Sequence, residues 1–176
     1  MKSLAEQMSV YAAYHRDPVN KGIHFIFVPA IVWTVMIALD HVPVAGPVSA
    51  AFLVTGALLV WYVLLDLRLG LAAAMLYTVL LVAAVTLNDA VSLGTSLAIA
   101  GGVHVASWAF QFLGHGVWEK RRPALADNLF QVLVAPIFVL AEIGFAMGLR
   151  KDLEADVERL MVAHLPEAEK AGLVAA

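Results

Sequence analysis

Long apolar runs separated by short polar turns organise this chain. Five stretches, roughly 22–40, 47–65, 69–87, 93–115 and 128–149, approach the ~20 apolar residues a helix needs to cross the hydrocarbon core. The second is free of charge from Val42 to Leu65, and no Asp, Glu, Lys or Arg occurs from Ala90 to Trp118. The first four are expected to span. The fifth carries Pro136 and Glu142. A proline there removes a backbone hydrogen bond and kinks a helix, so this segment is expected either to span or to bend back as re-entrant half-helices.

The two ends read differently. Ser3-Leu4-Ala5-Glu6 has the capping-box spacing. Leu4, Met8 and Tyr11 then share a face, which predicts a short amphipathic surface helix over 3–15. Asp17-Pro18 ends it, and Asn20 is expected to cap the first span. Leu153, Val157, Leu160 and Met161 stand at helical spacing among charges, predicting a second surface helix over 151–164. The expected architecture is therefore all-α: a single integral membrane domain over 1–176. It is a polytopic helical bundle of four to five spanning or re-entrant segments, with short amphipathic helices at both ends.

Composition sharpens the class. The chain has 176 residues, 62% hydrophobic and only 14% charged. A soluble domain carries ~25% charge, and this chain could not cover a water-facing surface. A net charge of −3 argues against nucleic acid as a partner. Without cysteine, any metal must be held by His, Asp, Glu or backbone oxygen. Charges among the first 20 residues leave no apolar core for a cleavable signal peptide. Lys2, Arg16 and Lys21 precede span one, Arg68 follows span two, and Lys120, Arg121 and Arg122 follow span four, while the alternate turns hold no cation. The positive-inside rule then places the N-terminus in the cytoplasm. Arg150 and Lys151 also favour the inside, which argues for a re-entrant last segment.

Topology sorts the six histidines by depth. His15 and His24 fall at the start of span one and His115 at the end of span four, all at one membrane level. Glu119 lies one helical turn beyond His115, a spacing at which two side chains can share a metal. His41 lies ~25 Å from His24 along its helix, and His104 ~16 Å from His115, so neither belongs to the same site. Two readings stand side by side. The convergence of His15, His24, His115 and Glu119 makes a metal site. Alternatively, interfacial histidines serve structure in a non-enzymatic membrane protein, a small transporter or scaffold, with Lys120-Arg121-Arg122 as a lipid-facing anchor.

Two blocks break this tie: Tyr14-His15-Arg16-Asp17-Pro18-Val19-Asn20 with Ile23-His24-Phe25, and Gln111-Phe112-Leu113-Gly114-His115-Gly116-Val117-Trp118-Glu119-Lys120-Arg121-Arg122-Pro123-Ala124-Leu125. In combination they resemble the 2-hydroxy-fatty-acid dioxygenase family, over roughly residues 5–150. The resemblance implies an Fe(II)-dependent membrane enzyme that uses O₂ to convert a long-chain 2-hydroxy fatty acid to the acid one carbon shorter, a step of fatty-acid α-oxidation. It would lie in a bacterial inner membrane or the endoplasmic reticulum. It further implies His15, His24 and His115 as iron ligands. Arg16 stands where the family's fungal pattern has a second histidine, which brings forward Glu119 or Asp17 as a remaining ligand. Arg121 or Arg122 would pair with the substrate carboxylate, with Asn20 also on the substrate side. The acyl tail would lie in an apolar slot between spans one and four. Partners on this reading are the 2-hydroxy acid, O₂ and membrane lipid; an oligomer is compatible with it.

Overall fold

The structure is a computed structural model that describes residues 2–166. Helix α1 (Leu4–Ala12) opens with the expected capping box: Glu6 N donates to Ser3 Oγ and Ser3 N to the Glu6 carboxylate. It is shorter than the expected 3–15. Leu4, Met8 and Tyr11 pack inward against later helices rather than lying along a surface. Helix α2 (Pro18–Asp40) begins at Pro18, whose fixed φ and missing N–H suit the first helical turn. Its cap is Asp17, not Asn20: Asp17 Oδ1 accepts from Val19 N and Asn20 N at 2.8 and 3.1 Å. The residue before a proline is held extended, and that is the backbone conformation a cap requires.

A two-residue turn through Gly46, at φ +53, joins the strands β1 (Pro43–Ala45) and β2 (Val48–Ser49). This hairpin takes the residues expected to begin the second span. Helix α3 (Ala50–Leu65) therefore has 16 residues and reaches only ~24 Å. Helix α4 (Leu67–Ala90) turns straight back along it. A Cβ at Gly70 would lie 2.6 Å from Val63 Cα, so glycine permits the two backbones to cross in contact. Helix α5 (Leu93–Gly114) runs into a π-helical turn, His115–Glu119. Among the described residues, three helices are long and apolar enough to cross a membrane: α2, α4, and α5 with its π turn. Leu71, Met75, Val79 and Val82 form an exposed apolar stripe on α4, as a lipid-facing helix requires. Helix α2 sits centrally against α3, α4 and α5.

The fifth apolar segment is one arm of a bent helix pair, the geometry of a broken span or a re-entrant loop. Helix α6 (Gln131–Ala146) runs unbroken through Pro136; the chain turns instead at Met147–Arg150, where Gly148 and Arg150 take positive φ. Helix α7 (Lys151–Met161) leaves at 119° to α6. Near the start of α6, Leu133 O accepts from Tyr62 Oη at 2.6 Å; near its end, Glu142 pairs with Lys21 at 2.7 Å; just beyond, Arg150 pairs with Asp66 at 2.7 Å. Tyr62 and Asp66 flank the end of α3, and Lys21 lies in the first turn of α2. Both ends of α6 are thus pinned at one end of the bundle. Its core residues Val134, Ile137, Phe138 and Val139 are buried; α1 packs against it, and α7 packs against α1. That path leaves Arg150 and Lys151 at the end that holds Lys21 and Arg121. The opposite end carries Asp40, His41, Asn88 and Ser96, joined pairwise by hydrogen bonds, and among the described residues no Lys or Arg.

Candidate metal centre and its cavity

Three segments far apart in sequence deliver the histidines. His15 follows α1 in the turn before α2, His24 lies on the second turn of α2, and His115 begins the π turn. One ring nitrogen from each lies within 4.8 Å of the others, and all three side chains are buried. Among the described residues, no Asp or Glu joins that group. The rings are nearly perpendicular, with centroids 4.4 Å apart for His15 and His24, 4.7 Å for His15 and His115, and 5.1 Å for His24 and His115.

Hydrogen-bond direction fixes what these rings offer. His15 Nδ1 lies 2.8 Å from Tyr11 O, and His24 Nδ1 lies 2.9 Å from Asn20 O. A carbonyl only accepts, so both Nδ1 atoms carry the proton. The two Nε2 atoms, 3.2 Å apart, then present bare lone pairs to each other. Neutral rings repel in that pose unless a cation lies between them. Burial, with His24 and His115 alongside, holds the His15 pKa well below its ordinary value, which disfavours a shared proton. A metal ion is the partner that fits. Two nitrogens about 2.0–2.1 Å from one ion stand roughly 3.0–3.4 Å apart at ordinary bond angles. An imidazole that donates its other N–H to a backbone carbonyl is the usual orientation of a ligating histidine. His115 adds a buried Nδ1 with no hydrogen-bond partner among the described residues.

The surrounding residues hold this pose. Tyr11 stacks flat on His15, with centroids 3.8 Å apart and planes 2° from parallel, and Phe138 backs Tyr11 at 4.6 Å. Gly114 lets α5 touch α2: a Cβ there would meet Asn20 Oδ1 at 2.4 Å. The π turn closes through His115 O, which accepts from Arg121 N at 3.2 Å and from Lys120 N, with Lys120 left-handed at φ 52.

The other expected site residues lie around the cluster. Glu119, expected on the same face as His115, is carried aside by the wider turn. Its carboxylate accepts from Arg16 N at 2.9 Å, Asp17 N at 3.0 Å and Asn20 Nδ2 at 3.0 Å. Asp17 is the helix cap. Asn20 is wholly buried between α2 and Glu119. Arg121 lies over the Tyr14 ring at 3.7 Å and donates to Ala13 O and His164 O, tying the α1–α2 turn to the tail. Arg122 pairs with Asp127. None of Glu119, Asn20, Arg121 and Arg122 lines the cavity described next.

That cavity, of about 190 Å³, opens from the three histidines. It follows α2 past Val28, Val32 and Val35 to Leu39, ~22 Å of helix from His24. Its other walls are broader than the expected pair of spans: α3, α4, α5 and α6 all contribute, with Tyr62, Tyr77 and Trp108 among the large side chains. The polar residues Gln111 and Gln131 also line it. Neither was singled out from the sequence as a functional residue. Gln111 did carry a signal, as a carboxamide one turn before His115 in a charge-free span. Gln131 carried none beyond its place at a helix start.

Comparison with known proteins agrees with this picture. The family model described as 2-hydroxy-palmitic acid dioxygenase Mpo1-like matches residues 1–147. The 2-hydroxy-palmitic acid dioxygenase MPO1 of Saccharomyces cerevisiae is 38% identical over 156 residues, which is 88% of this chain and 87% of the yeast protein. No solved structure matches the chain.

Proposed function

Since the chain belongs to the Mpo1-like family, we propose that it is an Fe(II)-dependent membrane dioxygenase that shortens long-chain 2-hydroxy fatty acids by one carbon. The observation that carries this reading is the pair of bare Nε2 atoms of His15 and His24, 3.2 Å apart, with His115 beside them. The yeast relative's name supplies the substrate class. The reaction balances with O₂ alone: a 2-hydroxy acid and O₂ give the shortened acid, carbon dioxide and water, with no external reductant.

His15, His24 and His115 would hold the iron, leaving coordination positions open as non-haem oxygenases require. Bound there, Fe(II) supplies the oxygen chemistry that protein side chains lack. Tyr11 O and Asn20 O fix the tautomers of two ligands, and Glu119 fixes the turns that carry His15 and His115. The cavity takes the acyl chain, and its apolar walls exclude water from the reacting end. All Lys and Arg from Lys2 to Lys151 lie at the histidine end, and by the positive-inside rule this supports a site at the cytoplasmic face. An amphipathic substrate would enter with its head at the interface and its tail in the bundle.

The test is anaerobic metal analysis of the detergent-solubilised protein beside His24→Ala and His115→Ala. It is followed by Fe(II), O₂ and 2-hydroxyhexadecanoate, with products read by mass spectrometry. The expected result is near-stoichiometric iron, lost in both variants, and a one-carbon-shorter acid from the parent alone. A parent that holds no metal after reconstitution would return the histidines to a structural role. Iron without product would keep the site and reject this substrate.

A further inference from the structure

The cavity wall holds two carboxamides that the protein leaves unpaired. Gln111, on α5 one turn before His115, is buried, and its Nε2 donates to no described residue. Gln131, the first residue of α6, is buried, and its Oε1 accepts from none. Both line the cavity that the three histidines open into. Buried amides without partners are costly, and an apolar side chain of equal volume would build the same wall without that cost. One buried unpaired donor and one buried unpaired acceptor therefore belong to residues of one cavity wall. The two arginines expected to pair with the carboxylate are engaged elsewhere: Arg121 is held by Tyr14, Ala13 O and His164 O, and Arg122 by Asp127.

A 2-hydroxy acid carries the complementary set, a carboxylate that only accepts and a hydroxyl that can donate. We propose that Gln111 and Gln131 are the substrate-recognition pair of this site: Gln111 Nε2 donates to the carboxylate and Gln131 Oε1 accepts from the 2-hydroxyl. The inference rests on the reading of the cavity as a 2-hydroxy-acid site. It assigns head-group recognition to neutral amides inside the bundle rather than to arginines at its surface. A neutral donor suits a low-dielectric wall, where an unpaired guanidinium would be penalised. A site built to bind a hydroxyl also discriminates against the analogue lacking it, because its acceptor is then stranded.

The experiment is equilibrium binding to the full-length protein in detergent, followed by tryptophan fluorescence, since Trp108 lines the cavity. The ligands are 2-hydroxyhexadecanoate and hexadecanoate. The proteins are the parent, Gln111→Met and Gln131→Met, each iron-loaded and chelator-treated. We expect the parent to bind the 2-hydroxy acid roughly tenfold or more tightly than hexadecanoate. Gln131→Met should abolish that preference and leave hexadecanoate binding unchanged, whereas Gln111→Met should weaken both acids about tenfold. Persistence of these effects in chelator-treated protein separates the amides from the iron. Variants that melt like the parent and bind both acids as it does would overturn the proposal. If Gln111→Met fails to fold, Gln131→Met and the parent's discrimination still decide: no hydroxyl preference in metal-free parent also overturns it. Binding reads ligand affinity rather than turnover. A parent that recognises the acids but makes no product would count against the enzymatic reading and not against this pair.

Discussion

Glu119 accepts hydrogen bonds from the backbone amides of Arg16 and Asp17, at 2.9 and 3.0 Å, across 103 and 102 residues of chain. One carboxylate thereby clamps the turn that presents His15 to the π turn that presents His115. Its hydrogen bonds act on the geometry of the two turns that carry these histidines. Glu119→Gln keeps the shape but exchanges the charged acceptor for a neutral amide, which offers one oxygen where two are used. Partners of this kind typically change metal affinity by ~10–100-fold. The variant should melt near the parent temperature and lose iron to a competing chelator at correspondingly lower chelator concentration. An unchanged competition curve would remove Glu119 from the support of the site.

Gly114 and Gly102 lie on the same helix and make opposite predictions. At Gly114 an added Cβ would meet Asn20 Oδ1 at 2.4 Å, while at Gly102 nothing lies within 4 Å. Gly102→Ala should raise stability by roughly 0.5–1 kcal/mol through helix propensity alone. Gly114→Ala must push α5 off α2 or drive Asn20 away from Glu119. It should lower both the melting temperature and the metal content. Thermal melts and metal analysis on the two variants check this together, and equal behaviour would show that the close approach is unimportant.

Lys21 and Glu142 form a partly buried ion pair, with side chains 29% and 16% exposed. Lys21→Met leaves a carboxylate unpaired against the bundle and frees the end of α6. The loss should fall between the ~1 kcal/mol of an exposed pair and the ~3–5 kcal/mol of breaking a buried one. The double variant Lys21→Met/Glu142→Leu should recover most of it, since no charge is then stranded. A double-mutant cycle on thermal stability measures the coupling, and additive losses would contradict it.

Glu142 also shows what could and could not be read from sequence. The apolar runs and the cation pattern were sufficient for the bundle and for the level at which His15, His24 and His115 meet, because hydrophobic period and charge bias act locally. The bend after α6 was legible as a conflict: Arg150 and Lys151 could not both follow a straight fifth span and stay with the other cations. Its cause was not, because the turn comes at Gly148 and Arg150 rather than at Pro136, and the pinning contacts involve Tyr62, Lys21 and Asp66. Glu119 was expected by α-helical spacing, and a π turn changes the angle per residue. No local pattern marks that insertion. The roles of Asn20 and Arg121 depend on partners about a hundred residues away, which spacing along one helix does not reveal.

His104 was set aside as too deep for the metal centre, and the structure ties it to the cavity by another route. Thr34 Oγ1 donates to Ile31 O at 2.8 Å and so must accept from His104 Nδ1, also at 2.8 Å. With its proton on Nδ1, His104 offers Nε2 as an acceptor, and Trp108 Nε1 donates to it at 3.0 Å. Only one direction of donation satisfies all three bonds, so the Trp108 indole is held in one orientation where it lines the slot. Phe112 lies against its other side, with ring centroids 5.5 Å apart. His104→Leu removes the acceptor and leaves the indole free to turn into or away from the acyl path. Thermal stability should fall by about 1–2 kcal/mol, the loss of one bond with a stranded N–H. The histidine cluster lies ~16 Å away along α5, so metal content should hold. The distinctive readout is the profile of affinity against acyl length for saturated 2-hydroxy acids. A parent with a defined optimum should give way to a broader profile in His104→Leu, and Thr34→Val should reproduce the change more weakly because His104 then loses its anchor. A profile that falls evenly at every length, with the optimum intact, would mean that Trp108 only fills space in the wall.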